Sequence, residues 1–265
     1  MSKPINIFFI GDINGKPGLS LVSNLLKQYL QKYAIDLCIA NGENCTEGKG
    51  ISEKDANTLF ELGVHVITTG NHLWDRWESK TLLAKERRIL RPLNYPRENP
   101  GNGFIVHDLK EKGRVGVLNL QGRTYMQTID DPFKAADWAV SKILNDTKVV
   151  FIDMHAEASA EKMALAWHLD GRVSALVGTH THVPTADAKI LPGGTAFITD
   201  VGMTGPYDSV IGMKKEIAIK RFLMQTPYKF EMAEHDVHLC AVFVQVDAET
   251  GKALKIEQVI FPSFL

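Results

Sequence analysis

Apolar residues in the first third of the chain come in short runs, each followed by a polar loop and then by a segment with helical periodicity. The pattern predicts buried strands at residues 5–10, 37–40 and 64–69. A helix follows each polar loop, and Ser52 is a suitable N-cap for the second of them. Repeated strand–loop–helix units build a parallel or mixed sheet, whose ligands gather beyond the carboxyl ends of the strands.

The pattern changes after a stretch rich in Pro, Asn and Gly at residues 91–103, which we interpret as the crossing from one sheet to another. Further on, strands are predicted at residues 103–106, 115–120, 149–152, 173–177, 188–191, 196–199, 228–233, 239–246 and 253–261. Helices are predicted at residues 133–144, 159–168 and 214–222. The chain is therefore expected to be an α/β protein with one domain over residues 1–265, in which the final strands form a second sheet packed on the first.

Composition narrows the class of protein. The 265 residues are 45% hydrophobic, which is enough for one sizeable core. Lys and Arg number 30 against 31 for Asp and Glu, so no broad basic surface indicates DNA or membrane binding. The three cysteines include no C-x-x-C pair, which argues against a disulfide framework or a thiolate zinc site. Because the first apolar run is too short for a signal peptide, we expect a cytoplasmic protein.

Polar side chains suited to metal binding follow several of the predicted strands. They are Asp12 and Asn14, Glu43 and Asn44, Asn71 and His72, His155, and the His-x-His pair His180 and His182. Alternate residues of a strand share a face, so two imidazoles spaced in this way can converge on one point. Carboxylate, amide and imidazole ligands without thiolate suit Fe, Mn or Zn. Two ions are expected from the number of ligands, with a carboxylate such as that of Glu43 as the bridge between them.

The order of these motifs resembles the calcineurin-like metallophosphoesterase superfamily. The matching segments are Gly11-Asp12-x-Asn14, Gly42-Glu43-Asn44, Gly70-Asn71-His72, His155 and Gly178-x-His180-x-His182. Two residues depart from the common pattern, because Asn14 replaces a ligand His and Glu43 replaces the usual bridging Asp. Both departures are similar to the YmdB branch of bacterial phosphodiesterases, as are further segments such as Leu120-Gln-Gly-Arg and Thr199-Asp-Val-Gly-Met-Thr-Gly-Pro.

The resemblance implies a four-layer α/β/β/α sandwich with two packed mixed sheets and a binuclear metal centre of Fe or Mn, with Zn as an alternative. It implies that Asp12, Glu43, Asn44 and His182 bind one ion and that Glu43, Asn71, His155 and His180 bind the other. It also implies hydrolysis of phosphodiesters, above all 2′,3′-cyclic nucleotides such as 2′,3′-cAMP, by metal-activated water. His72, which is assigned to neither ion, becomes the candidate general acid.

Other interpretations remain open from the sequence. Asp12 by itself could cap the following helix, and Asn14 could support the site or only its loop, so Asn14 is left out of the metal set. The chain could be a regulatory protein that contacts RNA or a protein partner and whose metal site is structural. A TIM-barrel amidohydrolase also uses His-x-His, but there the pair follows the first strand. Homo-oligomerisation, the metal in the cell and the physiological substrate are not determined by the sequence.

Overall fold

The computed structural model describes residues 4–264, so residues 1–3 and 265 of the predicted domain lie outside the described part. The first third of the chain forms strands β1 (Ile5–Ile10), β2 (Leu37–Asn41), β3 (Val66–Thr68) and β4 (Ile89–Leu90). Helices α1 (Gly15–Lys32), α2 (Glu53–Glu61) and α3 (Ser79–Lys85) connect them. Ser52 caps α2, since its side chain accepts a hydrogen bond from the backbone N–H of Asp55. The predicted strand–loop–helix units are therefore confirmed.

The middle of the chain supplies the second set of elements. Its strands are β5 (Phe104–Asp108), β6 (Arg114–Gln121), β7 (Val150–His155), β8 (Ala175–Thr179), β9 (Lys189–Ile190) and β10 (Ala196–Ile198). Helices α4 (Pro132–Ile143) and α5 (Ser159–Leu169) flank β7. Asp131 caps α4 by accepting from the backbone N–H groups of Phe133 and Lys134, and Pro132 fills the first turn. These strands form one sheet in the order β5-β6-β7-β8-β10-β9.

The C-terminal part contains β11 (Gly205–Pro206), α6 (Lys215–Met224), β12 (Val237–Val246) and β13 (Ala253–Phe261). The prediction that the final strands form the second sheet is wrong. β12 pairs antiparallel with β1, from Ile5 opposite Val246 to Ile10 opposite Ala241, and β13 pairs with β12. Both strands thus complete the first sheet, in which β1 to β4 are parallel. The pattern of apolar residues predicted the strands themselves but could not identify their partners.

The predicted strand at residues 228–233 is also wrong, because this segment is irregular apart from one bridge between Met213 and Met232. Its apolar side chains pack on the start of α1 and on the loop after β2. The Met232 side chain lies where a side chain on Gly15 would stand, and the Phe230 ring lies close to Gly48. The apolar run therefore reflects loop packing.

The two sheets pack face to face through a shared apolar layer. Phe9 of β1 stacks on Phe151 of β7, with ring centroids 5.4 Å apart, and neither ring is exposed. Helices α1 to α3 cover the outer face of the first sheet, and α4 and α5 cover the outer face of the second. The result is the expected four-layer α/β/β/α sandwich of two mixed sheets. Within residues 4–264 no helix combines the length and hydropathy needed to span a bilayer.

Candidate metal centre

The eight predicted site residues all lie at one edge of the two sheets. Asp12 follows β1, Glu43 and Asn44 follow β2, and Asn71 and His72 open a short 3-10 turn after β3. From the second sheet come His155, the last residue of β7, and His180 and His182, just after β8. Parallel strands in each sheet end at this edge, so residues from distant parts of the chain meet there.

Four of these residues form what we call the Glu43 cluster, namely Glu43, Asn71, His155 and His180. Its centre is Nε2 of His155, which lies 3.0 Å from Glu43 Oε1, 3.2 Å from Asn71 Oδ1 and 3.1 Å from His180 Nδ1. The carboxylate and the two imidazoles alone place their ligand atoms within 4.8 Å of one another. His155 and Glu43 are almost completely buried.

Buried side chains behind the Glu43 cluster set the orientation of His155. Its Nδ1 lies 2.8 Å from Thr179 Oγ1, and that hydroxyl donates to Asp153 Oδ1 at 2.7 Å. Asp153 Oδ2 accepts from Asn41 Nδ2 and from Thr68 Oγ1. Because the Thr179 hydroxyl donates its proton to Asp153, it can accept the Nδ1 proton of His155. In the neutral imidazole, Nε2 of His155 then faces the cluster with its lone pair, as a metal ligand must.

Three of the remaining four residues form the Asp12 cluster, which comprises Asp12, Asn44 and His182. Asn44 Nδ2 donates to Glu43 Oε1 at 3.1 Å and lies 3.0 Å from His182 Nε2, while His182 Nδ1 faces the backbone oxygen of Ile211 at 3.0 Å. A half-turn of the amide would bring the Asn44 oxygen to the same position. Asp12 Oδ1 is buried without a hydrogen-bond partner and lies 4.0 Å from His182 Nε2.

The pKa values of the two buried carboxylates, Asp12 and Glu43, are shifted in opposite directions. Burial raises the pKa of Asp12 to about 6, against the opposing effect of the neighbouring imidazoles. Burial would also raise the pKa of Glu43, but the charge and hydrogen bond of His155 outweigh it and lower this pKa to about 2. Burial lowers the pKa of His155, but the neighbouring Glu43 carboxylate raises it by more, so that this pKa rises to about 9. Burial and the charge of His155 together lower the pKa of His180 to about 3. In the metal-free chain the Glu43–His155 contact therefore holds a proton.

His72 lies at the rim of the Glu43 cluster. Its backbone N–H donates to Glu43 Oε2 at 3.2 Å, and its Nδ1 lies 2.9 Å from Asp75 Oδ2. The side chain is 33% exposed. Among residues 4–264, Nε2 of His72 has no hydrogen-bond partner, so Asp75 orients the ring and leaves this atom available to a ligand.

The His-x-His segment lies in the loop beyond β8, as predicted, but its backbone does not have the strand geometry from which the two imidazoles were predicted to converge on one point. Both His180 (φ 98°) and His182 (φ 64°) have left-handed conformations, so their side chains do not share a strand face. His180 points to the Glu43 cluster and His182 to the Asp12 cluster. The loop is held by Asp200, which accepts from the backbone N–H and the hydroxyl of Thr181 and pairs with the buried Lys162 at 2.7 Å.

Gly70 shows how closely the backbone approaches the Glu43 cluster. A Cβ atom at this position would lie 2.2 Å from Glu43 Oε2 and 2.3 Å from His155 Nε2. Any side chain here would thus displace the cluster. The glycine of the Gly-Asn-His motif is required by this contact.

The donor set fits divalent cations. In the Glu43 cluster a carboxylate oxygen, an amide oxygen and two imidazole nitrogens converge on one region. Their lone pairs face one another, and protons shared between these atoms can satisfy only a few of them. The orphaned, buried Asp12 Oδ1 is a further unsatisfied anionic donor nearby. Oxygen and nitrogen donors without thiolate suit Fe, Mn or Zn. Which ions bind, and how many, stays a prediction.

Several residues that shape the site were not among the predicted ones. Asp153 shares a strand face with His155, and Asp75 stands three residues after His72, so both could have been found from spacing alone. Glu157, whose Oε2 lies 3.1 Å from His180 Nε2, stands two residues after His155 in the same polar segment, but the sequence gave no role for it. Asn14 is buried, donates from Nδ2 to the Met203 sulfur at 3.2 Å and contacts none of the predicted metal ligands through a hydrogen bond.

Known proteins are similar to this chain over nearly its whole length. A family model described as YmdB-like protein matches residues 8–259. The 2′,3′-cyclic-nucleotide 2′-phosphodiesterase of Bacillus subtilis (strain 168) is 46% identical over 97% of both chains. The crystal structure of a novel phosphatase from Mycoplasma pneumoniae superposes with a TM-score of 0.93, at 38% identity over 98% of this chain and 94% of that one. A hypothetical protein from Thermus thermophilus gives a TM-score of 0.90, at 41% identity over 97% and 99%.

Proposed function

The chain belongs to the family of YmdB-like proteins, and we propose that it is a metal-dependent phosphodiesterase that opens 2′,3′-cyclic nucleotides such as 2′,3′-cAMP. The observation that carries the proposal is the convergence of a carboxylate, an amide oxygen and two imidazoles around Nε2 of His155. The activity in the name of the Bacillus subtilis relative supports the choice of substrate.

The proposed centre holds two divalent ions. Asp12, Glu43, Asn44 and His182 would bind one, and Glu43, Asn71, His155 and His180 would bind the other, so that Glu43 is shared. Such ions supply positive charge for the phosphate oxygens and lower the pKa of an attacking water. Asn71 contributes a neutral amide oxygen, which leaves more positive charge in its cluster than a carboxylate would.

His72 is the proposed general acid. Breaking the bond between phosphorus and O2′ leaves an alkoxide on the ribose, which needs a proton at once. The contact between Nδ1 and Asp75 orients the imidazole, and Nε2 has no partner within residues 4–264, so this atom can face the leaving oxygen of a substrate. Water adds to phosphorus, O2′ receives the proton, and the product is a nucleoside 3′-phosphate.

The first test measures metal content and substrate range. The chain loaded with iron or manganese under anaerobic conditions should hold two ions, and should convert 2′,3′-cAMP to adenosine 3′-phosphate faster than it converts 3′,5′-cAMP. Fewer than two ions would contradict the proposed ligand sets. Two ions without hydrolysis of any diester would favour a regulatory protein with a structural metal site.

Replacing His72 by Gln tests the acid. His72→Gln should keep both ions and lower turnover of 2′,3′-cAMP by about 10²-fold or more, within the range of general acid catalysis. Bis(p-nitrophenyl) phosphate has a leaving group that needs no proton, so its hydrolysis should fall far less. The matched control is His168→Gln, which also breaks an imidazole–carboxylate contact, 3.0 Å to Asp137, but on α5 away from the centre. Equal losses for both substrates would remove His72 as the acid.

A further inference from the structure

A second cavity lies outside the metal centre, between the segment of residues 91–103 and helix α4. Its volume is about 1070 Å³, at the upper end of the range of ligand sites. None of the eight predicted site residues lines it. The segment bridges the two sheets here, since the backbone N–H of Arg91 donates to Asn102 and that of Leu93 donates to Asn119 of β6.

Arg91 lies in the wall of this cavity with an incompletely satisfied guanidinium. The residue is only 5% exposed, and Nη1 donates to the backbone oxygens of Pro92 and Leu93. Nε is buried without a partner, and Nη2 makes no hydrogen bond within residues 4–264. No carboxylate in the described chain pairs with Arg91. A buried cation without a counter-charge is costly, and an anionic ligand would satisfy it.

The charge of the surrounding side chains adds to that of Arg91. Arg87, Arg97 and Lys134 also line the cavity, against two carboxylates, Asp130 and Asp131. The Asp131 carboxylate already has partners, because it caps α4 and forms an ion pair with Arg123 at 3.0 Å. The cavity therefore has a net positive lining, although the whole chain carries a formal charge of −1.

Aromatic surface lies within reach of the same cavity. Trp138 of α4 is 46% exposed and lines it together with Phe104, whose ring it meets edge-on at a centroid distance of 6.0 Å. Tyr95 forms another part of the wall. A half-exposed indole beside a group of cations is a suitable surface for stacking a nucleobase whose phosphate is bound nearby.

From Arg91 and this lining we propose that the cavity is a second ligand site that binds a nucleoside phosphate, with the phosphate on Arg91 and the base on Trp138. Nη2 of Arg91, which has no hydrogen-bond partner within residues 4–264, is the donor available to a phosphate oxygen, and the planar guanidinium carries the positive charge that the phosphate would neutralise. Arg97 and Lys134, both exposed, add charge at the rim. The site is independent of the proposed hydrolysis, because it uses none of the residues assigned to the metal centre.

Calorimetric titration of the metal-loaded full chain with adenosine 5′-monophosphate, a monoester, tests the proposal. Arg91→Gln should weaken binding by more than about tenfold, as expected for the loss of a buried charged partner. Because Arg91 also supports the fold, the surface double variant Arg97→Gln/Lys134→Gln provides a second measure and should weaken binding several-fold. Trp138→Ala should weaken binding of the nucleotide but leave that of inorganic phosphate unchanged.

The controls separate this site from the metal centre. Arg221→Gln removes an exposed arginine on α6 and should bind the nucleotide as the parent chain does. His180→Ala disrupts the Glu43 cluster and should keep the affinity of the cavity, while Arg97→Gln/Lys134→Gln should keep turnover of 2′,3′-cAMP. The proposal would be overturned if adenosine 5′-monophosphate failed to bind His180→Ala but still bound the Arg91 and Arg97/Lys134 variants. It would also be overturned if the parent chain did not bind this nucleotide.

Discussion

The Glu43 cluster and the Asp12 cluster lie side by side at one sheet edge, yet they are built differently. In the Glu43 cluster three donor atoms surround His155 Nε2 at 3.0 to 3.2 Å. In the Asp12 cluster the carboxylate oxygen Oδ1 has no partner and its nearest imidazole nitrogen within the cluster is 4.0 Å away. Both carboxylates are buried, but only that of Glu43 touches an imidazole, and only its pKa is lowered. Both groups are buried, so it is the direct contact with an imidazole that makes the direction of the two pKa shifts differ.

The difference extends to the residues behind each cluster. His155 is fixed by the chain of hydrogen bonds through Thr179 to Asp153, all inside the core. His182 is oriented by a single backbone oxygen, that of Ile211 in a loop, and the His182 side chain is 10% exposed. We therefore expect the Glu43 cluster to bind the first ion more tightly and the Asp12 cluster to fill second.

The largest effect should come from removing the centre of the Glu43 cluster. His155→Ala takes away a ligand and leaves Glu43 without its partner, so turnover and metal affinity should both fall by more than about 100-fold, beyond what supporting residues cost. Asp12→Ala should lose the weaker ion first and keep the other. Metal analysis after gel filtration distinguishes the two variants, and equal metal loss in both would remove the asymmetry between the clusters.

A smaller loss of metal affinity is expected from a change in Asp153, which supports His155 through Thr179. Asp153→Asn keeps the shape of the side chain, but its amide can place an N–H opposite the Thr179 hydroxyl, which now donates to Asp153. Thr179 then need not accept the Nδ1 proton of His155, so the orientation of His155 is no longer fixed. Metal affinity should fall by about 10- to 100-fold. Asp137→Asn, which changes an exposed carboxylate beside His168, is the matched control. Competition with a fluorescent chelator measures the affinity, and an unchanged value in Asp153→Asn would show that Thr179 alone orients His155.

The smallest effect concerns a second pair of imidazoles, His65 and His107, which also meet edge-on, with centroids 5.3 Å apart. No carboxylate of the described chain contacts them as Glu43 contacts His155. Burial lowers the pKa of both, and the charge of the neighbouring His107 lowers that of His65 further. Because the unfolded chain then binds more protons, the stability from this pair is complete above a pH of about 6.5 and falls as the pH drops below it.

Urea unfolding of His65→Gln and the parent chain between pH values of about 5 and 8, on either side of the ordinary histidine pKa, measures this dependence. The free energy of unfolding should fall less steeply below a pH of about 6.5 in the variant. His235→Gln, at an exposed loop position, is the control and should follow the parent. Identical slopes in His65→Gln and the parent would show that the buried pair does not titrate in this range.

Much of the fold could be predicted because local signals determine it. The runs that became β1, β2, β12 and β13 were found at nearly their observed bounds, and the Ser52 cap was correct. The pairing of β12 with β1 was missed, since it joins residues more than 230 positions apart. The His-x-His loop was predicted, but the left-handed backbone of His180 and His182 was not, because residue spacing does not determine backbone angles in a loop.

Residue types alone established which side chains could bind metal, because carboxylate, amide and imidazole groups at strand ends are visible as a pattern along the chain. Apolar periodicity, which is a local property, likewise established the strand–loop–helix units. The folded chain was needed to show that His155 lowers the pKa of Glu43 while burial raises that of Asp12, and that Arg91 is buried beside a cavity without a counter-charge in the described chain. Those properties depend on short distances between residues far apart in the chain, and no local pattern encodes them.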